Sequence, residues 1–206
     1  MIEVEAPDSQ APFGLRLATQ NDLRPIASLF AEAFTAHAVS TLSLALQEKF
    51  IAVHAQLCVT LVATDLETGR VLGFAIGGRY EQLDRARQAF ISGNVIPLAL
   101  HALTRRDTYR VYRLRLPSRV SRRQRASPSA GHELRYLAVA AGERGCGIGS
   151  ALLVAMEREV LIDQPYFVWA LAEKAAAIQF YLRHGFREEY RIDGHVRLIK
   201  DDLRLR

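Results

Sequence analysis

The chain has 206 residues, half of them hydrophobic and 24% charged, with a formal net charge of +5. This composition excludes a disordered chain, which would be much poorer in aliphatic and aromatic residues. No apolar run reaches the roughly 20 residues of a membrane helix, the acidic N-terminus does not resemble a secretory signal, and two cysteines cannot build a disulfide framework. We therefore expect a single-domain, metal-free, cytoplasmic protein.

The N-terminal part begins with a predicted strand and helix. Residues 1–12 have little apolar character and are expected to form a loose arm. Alternating apolar residues over 13–18 predict a half-buried strand. Thr19, with Asp22 three residues later, resembles a helix N-cap with its reciprocal acid. Apolar residues at a period near 3.6 follow Asp22, so a helix is expected there.

The same patterns predict the remaining elements and their order. Upstream, we expect a helix over 41–55, a β-hairpin from 57–64 and 71–77, and a helical segment over 81–104 that is interrupted around 92–94 and Pro97. Downstream, we expect a strand over 134–140, a helix over 147–162, a strand over 167–172, a helix over 173–184, and a hairpin from 187–192 and 195–200 around Asp193-Gly194. This order predicts an α/β fold with mixed strand directions.

The positive charge is concentrated in one segment. Between residues 79 and 125 there are 12 Arg against three acidic residues, so this segment carries +9 and the rest of the chain carries −4. Residues 105–130 form the most Arg-rich part. Within it, the apolar spacing over 109–116 fits a strand about as well as a helix.

The sequence Arg144-Gly-Cys-Gly-Ile-Gly-Ser150 lies between a predicted strand and a predicted helix. Three alternating glycines allow a ligand to approach the backbone closely, and the first turn of the helix points unpaired N–H groups outward. This arrangement predicts a phosphate-binding turn. It is neither a dinucleotide-binding turn, because Ser150 replaces the third glycine, nor a P-loop, because the Lys is missing. A purely structural turn is the alternative.

Three stretches together resemble the GCN5-related N-acetyltransferases (GNAT). Leu137-Ala-Val139 followed by residues 144–149 resembles their acetyl-CoA motif, Arg/Gln-x-x-Gly-x-Gly/Ala, and residues 177–186 resemble the closing motif, an Ala, then Phe-Tyr, then Gly-Phe. Leu15 to Asp22 resembles the usual start of such proteins. The resemblance covers 13–79 and 132–202. It implies one acyl-CoA N-acyltransferase domain with a mostly antiparallel sheet of six to seven strands flanked by helices, and with residues 80–131 as a basic helical insert between strands 3 and 4.

The resemblance also implies roles for individual residues. Leu137, Ala138 and Val139 would offer backbone groups to pantetheine and to the thioester carbonyl. The pyrophosphate of acetyl-CoA would lie on the backbone of Arg144, Gly145, Cys146, Gly147, Ile148, Gly149 and Ser150. Tyr181 would protonate the leaving thiolate, with a packed structural aromatic as the alternative. Lys174 stands where the family often has Asn, so it either reaches a CoA phosphate or marks a contact that is absent.

Direct acetyl transfer requires a deprotonated amine, and therefore a base. Some family members carry their base six residues before the position of Val139, which implies Glu133 here. Residues two apart in a strand share a face, so Glu133, Arg135, Leu137 and Val139 are predicted to line up. An exposed acid paired with an Arg is the alternative. His132 is the second candidate base, although alternation points it to the other face.

The other nucleophilic and ligating side chains show no catalytic pattern. Cys146 has no obvious His or Asp partner and is not expected to act as a covalent nucleophile. The remaining histidines show no metal-ligand spacing, and we interpret them as structural or surface residues: His37, His54, His101, His184 and His195.

Three interpretations of the basic insert stay open. It attracts an anionic acceptor, binds nucleic acid or an anionic membrane surface, or forms a solvated flap that helps to dimerise the protein. Aromatic residues within the Arg-rich part, Tyr109 and Tyr112, are sparse for stacking on single strands, and the apolar residues of 81–104 predict that part of the insert packs. We therefore expect an acetyl-CoA-dependent N-acetyltransferase acting on a small anionic amine, such as an amino sugar or a nucleotide-linked amine. The alternatives are acetylation of a protein N-terminus or Lys, and a non-catalytic CoA- or nucleic-acid-binding relative.

Overall fold

The computed structural model describes residues 13–104, 131–160 and 165–201. The predicted N-terminal arm (1–12) and the Arg-rich stretch (105–130), with the unassigned 109–116, lie outside the described residues. Within the described ranges, no helix combines the length and the apolar character needed to cross a membrane. Both cysteines, Cys58 and Cys146, are free thiols.

The described residues form seven strands and six helices, in the predicted order. The first part of the chain contains β1 (Phe13–Leu17), α1 (Leu23–Ala33), α2 (Leu44–Leu57), β2 (Val59–Asp65), β3 (Val71–Arg79), α3 (Tyr80–Gly93) and α4 (Val95–Thr104). The second part contains β4 (His132–Val139), α5 (Ile148–Glu159), β5 (Tyr166–Leu171), α6 (Ala175–Arg183), β6 (Arg187–Ile192) and β7 (His195–Lys200). Short 3-10 turns precede α1, α2 and α5.

The start of α1 is fixed by the carboxylate of Asp22. It accepts hydrogen bonds from the Thr19 backbone N–H and hydroxyl, both at 2.7 Å, and from the Arg16 guanidinium at 2.6 and 2.9 Å. Burial opposes ionisation, but the hydrogen bonds from Arg16 and Thr19 outweigh it and lower the pKa of Asp22. The predicted cap is therefore present, and the ion pair with Arg16 also connects it to β1.

The strands form one sheet in the order β1-β2-β3-β4-β5-β7-β6, and all neighbouring pairs are antiparallel except β4 and β5. Helices α1, α2 and α3 pack on one face around Phe30, Phe74 and Tyr136, and we call this the α1 face. Helices α5 and α6 pack on the other, the α5 face, around Leu152 and Tyr166. This confirms the predicted mixed, mostly antiparallel sheet flanked by helices.

The helical segment after β3 differs from its prediction. It breaks at Asn94, as expected, but Pro97 causes no interruption because it lies in the first turn of α4, where an N–H has no helical acceptor. Helix α3 buries Leu83 and Phe90, whereas α4 contains no buried residue. A hydrogen-bond contact of 3.2 Å between His101 and Thr41 ties α4 to the loop before α2. The expected packing is therefore supplied mainly by α3.

His54 on α2 makes the fold sensitive to acid. Its side chain is buried, Nδ1 donates to the Phe50 carbonyl at 2.8 Å, and burial lowers the pKa to about 4 from 6.5. Because the unfolded chain takes up this proton near pH 6.5 and the folded chain only near pH 4, stability falls as the pH drops through that window, by up to about 3 kcal/mol. We expect urea unfolding at pH 7.5 and 4.5 to show this loss. His54→Phe should reduce it, and an identical pH dependence in the variant would contradict the assignment.

Candidate functional site

The two central parallel strands separate along their length. β4 and β5 pair only at His132 with Tyr166, Glu133 with Phe167, and Leu134 with Val168. Beyond these pairs, β4 continues to Val139 and β5 to Leu171 without pairing to each other. The β5 side of β4 therefore offers backbone groups to a ligand along residues 135–139, which include the predicted Leu137, Ala138 and Val139.

The Gly-rich turn lies at the wide end of this opening, between β4 and α5. Gly145 and Gly147 have φ angles of +88° and +81°, and a Cβ added at either would meet no atom within 4 Å. The backbone N–H groups of residues 147–150, at the start of α5, have no backbone acceptor in the described chain. A concave, exposed loop with several free N–H groups at a helix N-terminus fits a pyrophosphate.

The side chains of this turn point in different directions. Ile148 is buried in the core under the sheet, so only its backbone is available, while Cys146 is exposed. Arg144 is exposed and its Nε donates to the Val139 carbonyl at 3.2 Å. A Cβ at Gly149 would contact Phe180 and Val139 at 3.6 Å, so this glycine packs the turn against α6 and β4. Lys174 lies at the exposed N-cap of α6.

Glu133 does not share a face with Leu137 and Val139, so the predicted alignment is wrong. The β3–β4 register shifts between Ile76, which faces Tyr136, and Gly77, which faces Leu134, so Arg135 is an extra residue in a β-bulge. Because the bulge adds one residue to β4, the residues before it point to the opposite faces from those that regular strand alternation predicts. Glu133 consequently lies on the α1 face, opposite Gly78, while Leu137 and Val139 lie on the α5 face.

Glu133 is held by its neighbour on the bulge. Its side chain is 5% exposed, and its two oxygens lie 2.6 and 2.7 Å from Nε and an Nη of Arg135, whose side chain is 20% exposed. Arg135 also stacks over the Tyr80 ring at 5.9 Å. Burial opposes the charge of Arg135, but Glu133 raises the pKa of the guanidinium above its ordinary value. Glu133 is thus paired with an Arg, as the alternative interpretation expected, but it is buried rather than exposed, and it lies where β4 and β5 still pair.

Tyr181 is a largely buried residue of α6, with ring contacts to Phe180 and Phe186 at 5.1 and 5.5 Å. Burial raises the pKa of its hydroxyl. Tyr166 at the start of β5 is fully buried, and its pKa is raised by burial and then by the charges of Glu157, Tyr181 and Glu133.

The α1 face beside Glu133 carries residues that the sequence did not single out. The Tyr136 hydroxyl lies 3.2 Å from His37 Nε2, and the Tyr136 ring packs edge-on against Phe30 at 5.0 Å. His132, the second candidate base, is buried at the start of β4. The grouping of His37 with Tyr136 joins residues 99 positions apart, so no local sequence pattern could have revealed it.

Comparisons with known proteins agree with this architecture. Residues 119–188 match the family model of the acetyltransferase (GNAT) domain. No curated protein matches the sequence. Among solved structures, an N-acetyltransferase from Staphylococcus aureus Mu50 is 18% identical, with a TM-score of 0.60, over 90% of this chain and 98% of that one.

Two further solved structures are similar at the same level. A ribosomal-protein-alanine N-acetyltransferase from Brucella melitensis is 20% identical, with a TM-score of 0.57, over 91% of this chain and 99% of that one. A Salmonella typhimurium structure with its cofactor acetyl-CoA is 15% identical, with a TM-score of 0.59, over 95% of this chain and 97% of that one. At these identities the similarity shows a shared fold.

Proposed function

We propose, from the match of residues 119–188 to the acetyltransferase (GNAT) domain and from the shared fold, that the chain is a GCN5-related N-acetyltransferase that transfers an acetyl group from acetyl-CoA to the primary amine of a small anionic acceptor. The observation that carries this proposal is the opening between β4 and β5, which ends at the turn before α5, where the N–H groups of residues 147–150 have no backbone acceptor in the described chain. The free, exposed thiol of Cys146 agrees with the reducing cytoplasm as the site of the reaction.

Acetyl-CoA supplies the thioester whose carbonyl carbon the amine attacks. In the proposal, residues 144–150 bind the pyrophosphate through their N–H groups, while backbone groups of Leu137, Ala138 and Val139 on the β5 side of β4, where β5 does not pair, bind the pantetheine arm and the thioester oxygen. Lys174, exposed at the N-cap of α6, adds a positive charge for a phosphate. These contacts orient the thioester at the end of β4, which contributes to the rate through positioning.

Two side chains move protons in the proposed reaction. Glu133 accepts the proton that the acceptor ammonium must lose, directly or through a water molecule, because an ammonium has no lone pair with which to attack. Tyr181 donates its hydroxyl proton to the departing thiolate. Burial raises the pKa of Tyr181 above its ordinary value, so the hydroxyl remains protonated through the neutral range.

Charge supports an anionic acceptor. Residues 105–130 carry nine Arg and one acidic residue, and this segment directly precedes β4 in the chain. The positive charge of this segment would attract a phosphorylated or carboxylated amine.

Calorimetry with acetyl-CoA and free CoA, over a series of salt concentrations, tests the first half of the proposal. We expect micromolar binding of both. A screen of amines should then follow the release of the CoA thiol, with amino sugars and nucleotide-linked amines compared with peptides that offer a free N-terminus or Lys. If only peptides were acetylated, the proposed small acceptor would be wrong and the acceptor would be a protein. If CoA did not bind at any salt concentration, the proposed transferase activity would be wrong.

Gly147→Ala should weaken CoA binding at least tenfold. A Cβ at φ +81° costs about 1–2 kcal/mol and occupies the open space in the turn. Gly69→Ala is the matched control. Gly69 also has a positive φ angle, +69°, and open surroundings, but it lies in the β2–β3 loop and not in the turn before α5. Both variants should lose similar stability in thermal unfolding, but only Gly147→Ala should change the calorimetric Kd. Equal Kd values would mean that the turn does not hold the ligand.

A further inference from the structure

His184, at the end of α6, contacts the first turn of α5. Its Nε2 lies 2.9 Å from the Ser150 hydroxyl oxygen, and its Nδ1 lies 2.7 Å from the Phe180 carbonyl oxygen. Ser150 is the third residue of α5 and the last residue of the phosphate-binding turn. A residue interpreted from the sequence as structural or surface therefore touches the proposed cofactor site.

The two distances fix where the protons lie. A carbonyl oxygen only accepts hydrogen bonds, so Nδ1 of His184 carries a proton. In the neutral ring Nε2 is then an acceptor, and the Ser150 hydroxyl must donate to it. Consequently, while His184 is neutral, the one proton of the Ser150 hydroxyl is used inside the protein and is not available to an anion.

We propose that the binding of CoA at this turn is coupled to the uptake of a proton by His184. In the imidazolium form Nε2 donates to Ser150, and the serine hydroxyl is released to donate to a phosphate oxygen. The imidazolium also places a positive charge one hydrogen bond away from the bound anion. This inference rests on the proposed function, because it places the pyrophosphate of CoA on residues 144–150.

The coupling is reciprocal. An anion that binds the protonated form more tightly raises the protonated fraction of His184, and protonation of His184 tightens the binding of the anion by the same factor. Since one proton is involved, the affinity can fall by at most about tenfold for each unit of rising pH.

The elements around His184 carry other ionisable groups. Two of them are in ion pairs: Lys200 of β7, which lies close to Gly185, pairs with Glu157 of α5 at 2.8 Å, and Glu188 of β6 pairs with Arg191 at 2.6 Å. The others are Tyr181 and Arg183 on α6 and Arg144 and Cys146 in the turn. Paired groups contribute little net field. We therefore assign the main effect on His184 to the bound anion.

Calorimetry in pairs of buffers with different ionisation enthalpies measures the proton uptake directly. The probe is 3′-dephospho-CoA, which keeps the pyrophosphate but lacks the phosphomonoester that titrates near neutrality. We expect the wild-type protein to take up a fraction of a proton at pH 7 and its Kd to rise several-fold between pH 6 and pH 8.5. His184→Gln, which keeps hydrogen-bonding groups but does not titrate, should show neither effect.

Ser150→Ala separates this coupling from a structural role of His184. It keeps the imidazole and removes the hydroxyl, so proton uptake should shrink, and His184→Gln should then change the Kd much less in the Ser150→Ala background than in the wild type. Wild-type binding with no proton uptake and with a Kd independent of pH would overturn the coupling while leaving the transferase intact. Absence of wild-type binding would overturn both.

Discussion

Tyr181→Phe is expected to lower kcat about 100-fold while the calorimetric Kd of acetyl-CoA stays unchanged, because general acid catalysis contributes about 10²–10⁴ to a rate. The substitution removes one hydroxyl and keeps the ring that packs against Phe180 and Phe186. The effect should therefore be confined to turnover. Steady-state kinetics by CoA-thiol release, with the acceptor found in the screen, measures it.

Tyr166→Phe is the matched control for Tyr181→Phe. It makes the same change in the same core cluster, at a buried hydroxyl that has no hydrogen-bond partner in the described chain. We expect unchanged kcat, and unchanged or slightly higher stability because an unsatisfied buried hydroxyl costs about 1–3 kcal/mol. Equal losses of kcat in both variants would show that the cluster needs its packing or polarity and that Tyr181 is not the acid.

Glu133→Gln is expected to lower kcat by about 100-fold or more, since an amide cannot accept the proton of the acceptor ammonium. It also leaves the largely buried Arg135 without its counter-charge, and breaking a buried ion pair costs about 3–5 kcal/mol. A loss of folded protein must therefore be separated from a loss of catalysis. Thermal unfolding and the Kd of acetyl-CoA should be measured on the same preparations as kcat.

Glu157→Gln provides the comparison for Glu133→Gln. Glu157 pairs with Lys200 at 2.8 Å, with side chains that are 13% and 15% exposed. Its variant should lose comparable stability and keep its kcat. If Glu133→Gln retains the wild-type kcat per folded molecule, Glu133 is a structural partner of Arg135, and the base is water or another residue such as His132.

Much of the fold follows from local sequence patterns. The alternation of apolar and polar residues predicted β1. Asp193-Gly194 predicted the last hairpin, and these two residues have φ angles of 47° and 74°, as a two-residue turn of this kind requires. The Gly-rich turn and its place between β4 and α5 were also predicted correctly. These features depend on residues close together in the chain, whose conformational preferences are largely independent of the remainder.

The parts that the sequence did not predict depend on distant partners. The bulge at Arg135 exists because β4 pairs with β3 in one particular register, and strand alternation alone placed Glu133 on the wrong face. The contact between His184 and Ser150 spans 34 residues and requires α6 to pack beside α5. The exposed apolar residues of α4 look like core residues by their spacing, and only the packing of the helix shows otherwise.

The short pairing of β4 with β5 also leaves few backbone hydrogen bonds between the two parts of the sheet. Strands β1 to β4 pack with α1, α2, α3 and α5, and β6 and β7 pack with α6. Within the described sheet three residue pairs join β4 to β5, while the core of the α5 face and the contacts of α5 with Lys200 and His184 span both groups of strands. A boundary with few backbone hydrogen bonds is a place where a native protein opens locally without unfolding completely. Amide exchange should therefore report two cooperative units. A ligand that binds residues on both sides of this boundary would slow amide exchange in both units together. The sheet would then behave as one cooperative unit only while the site is filled.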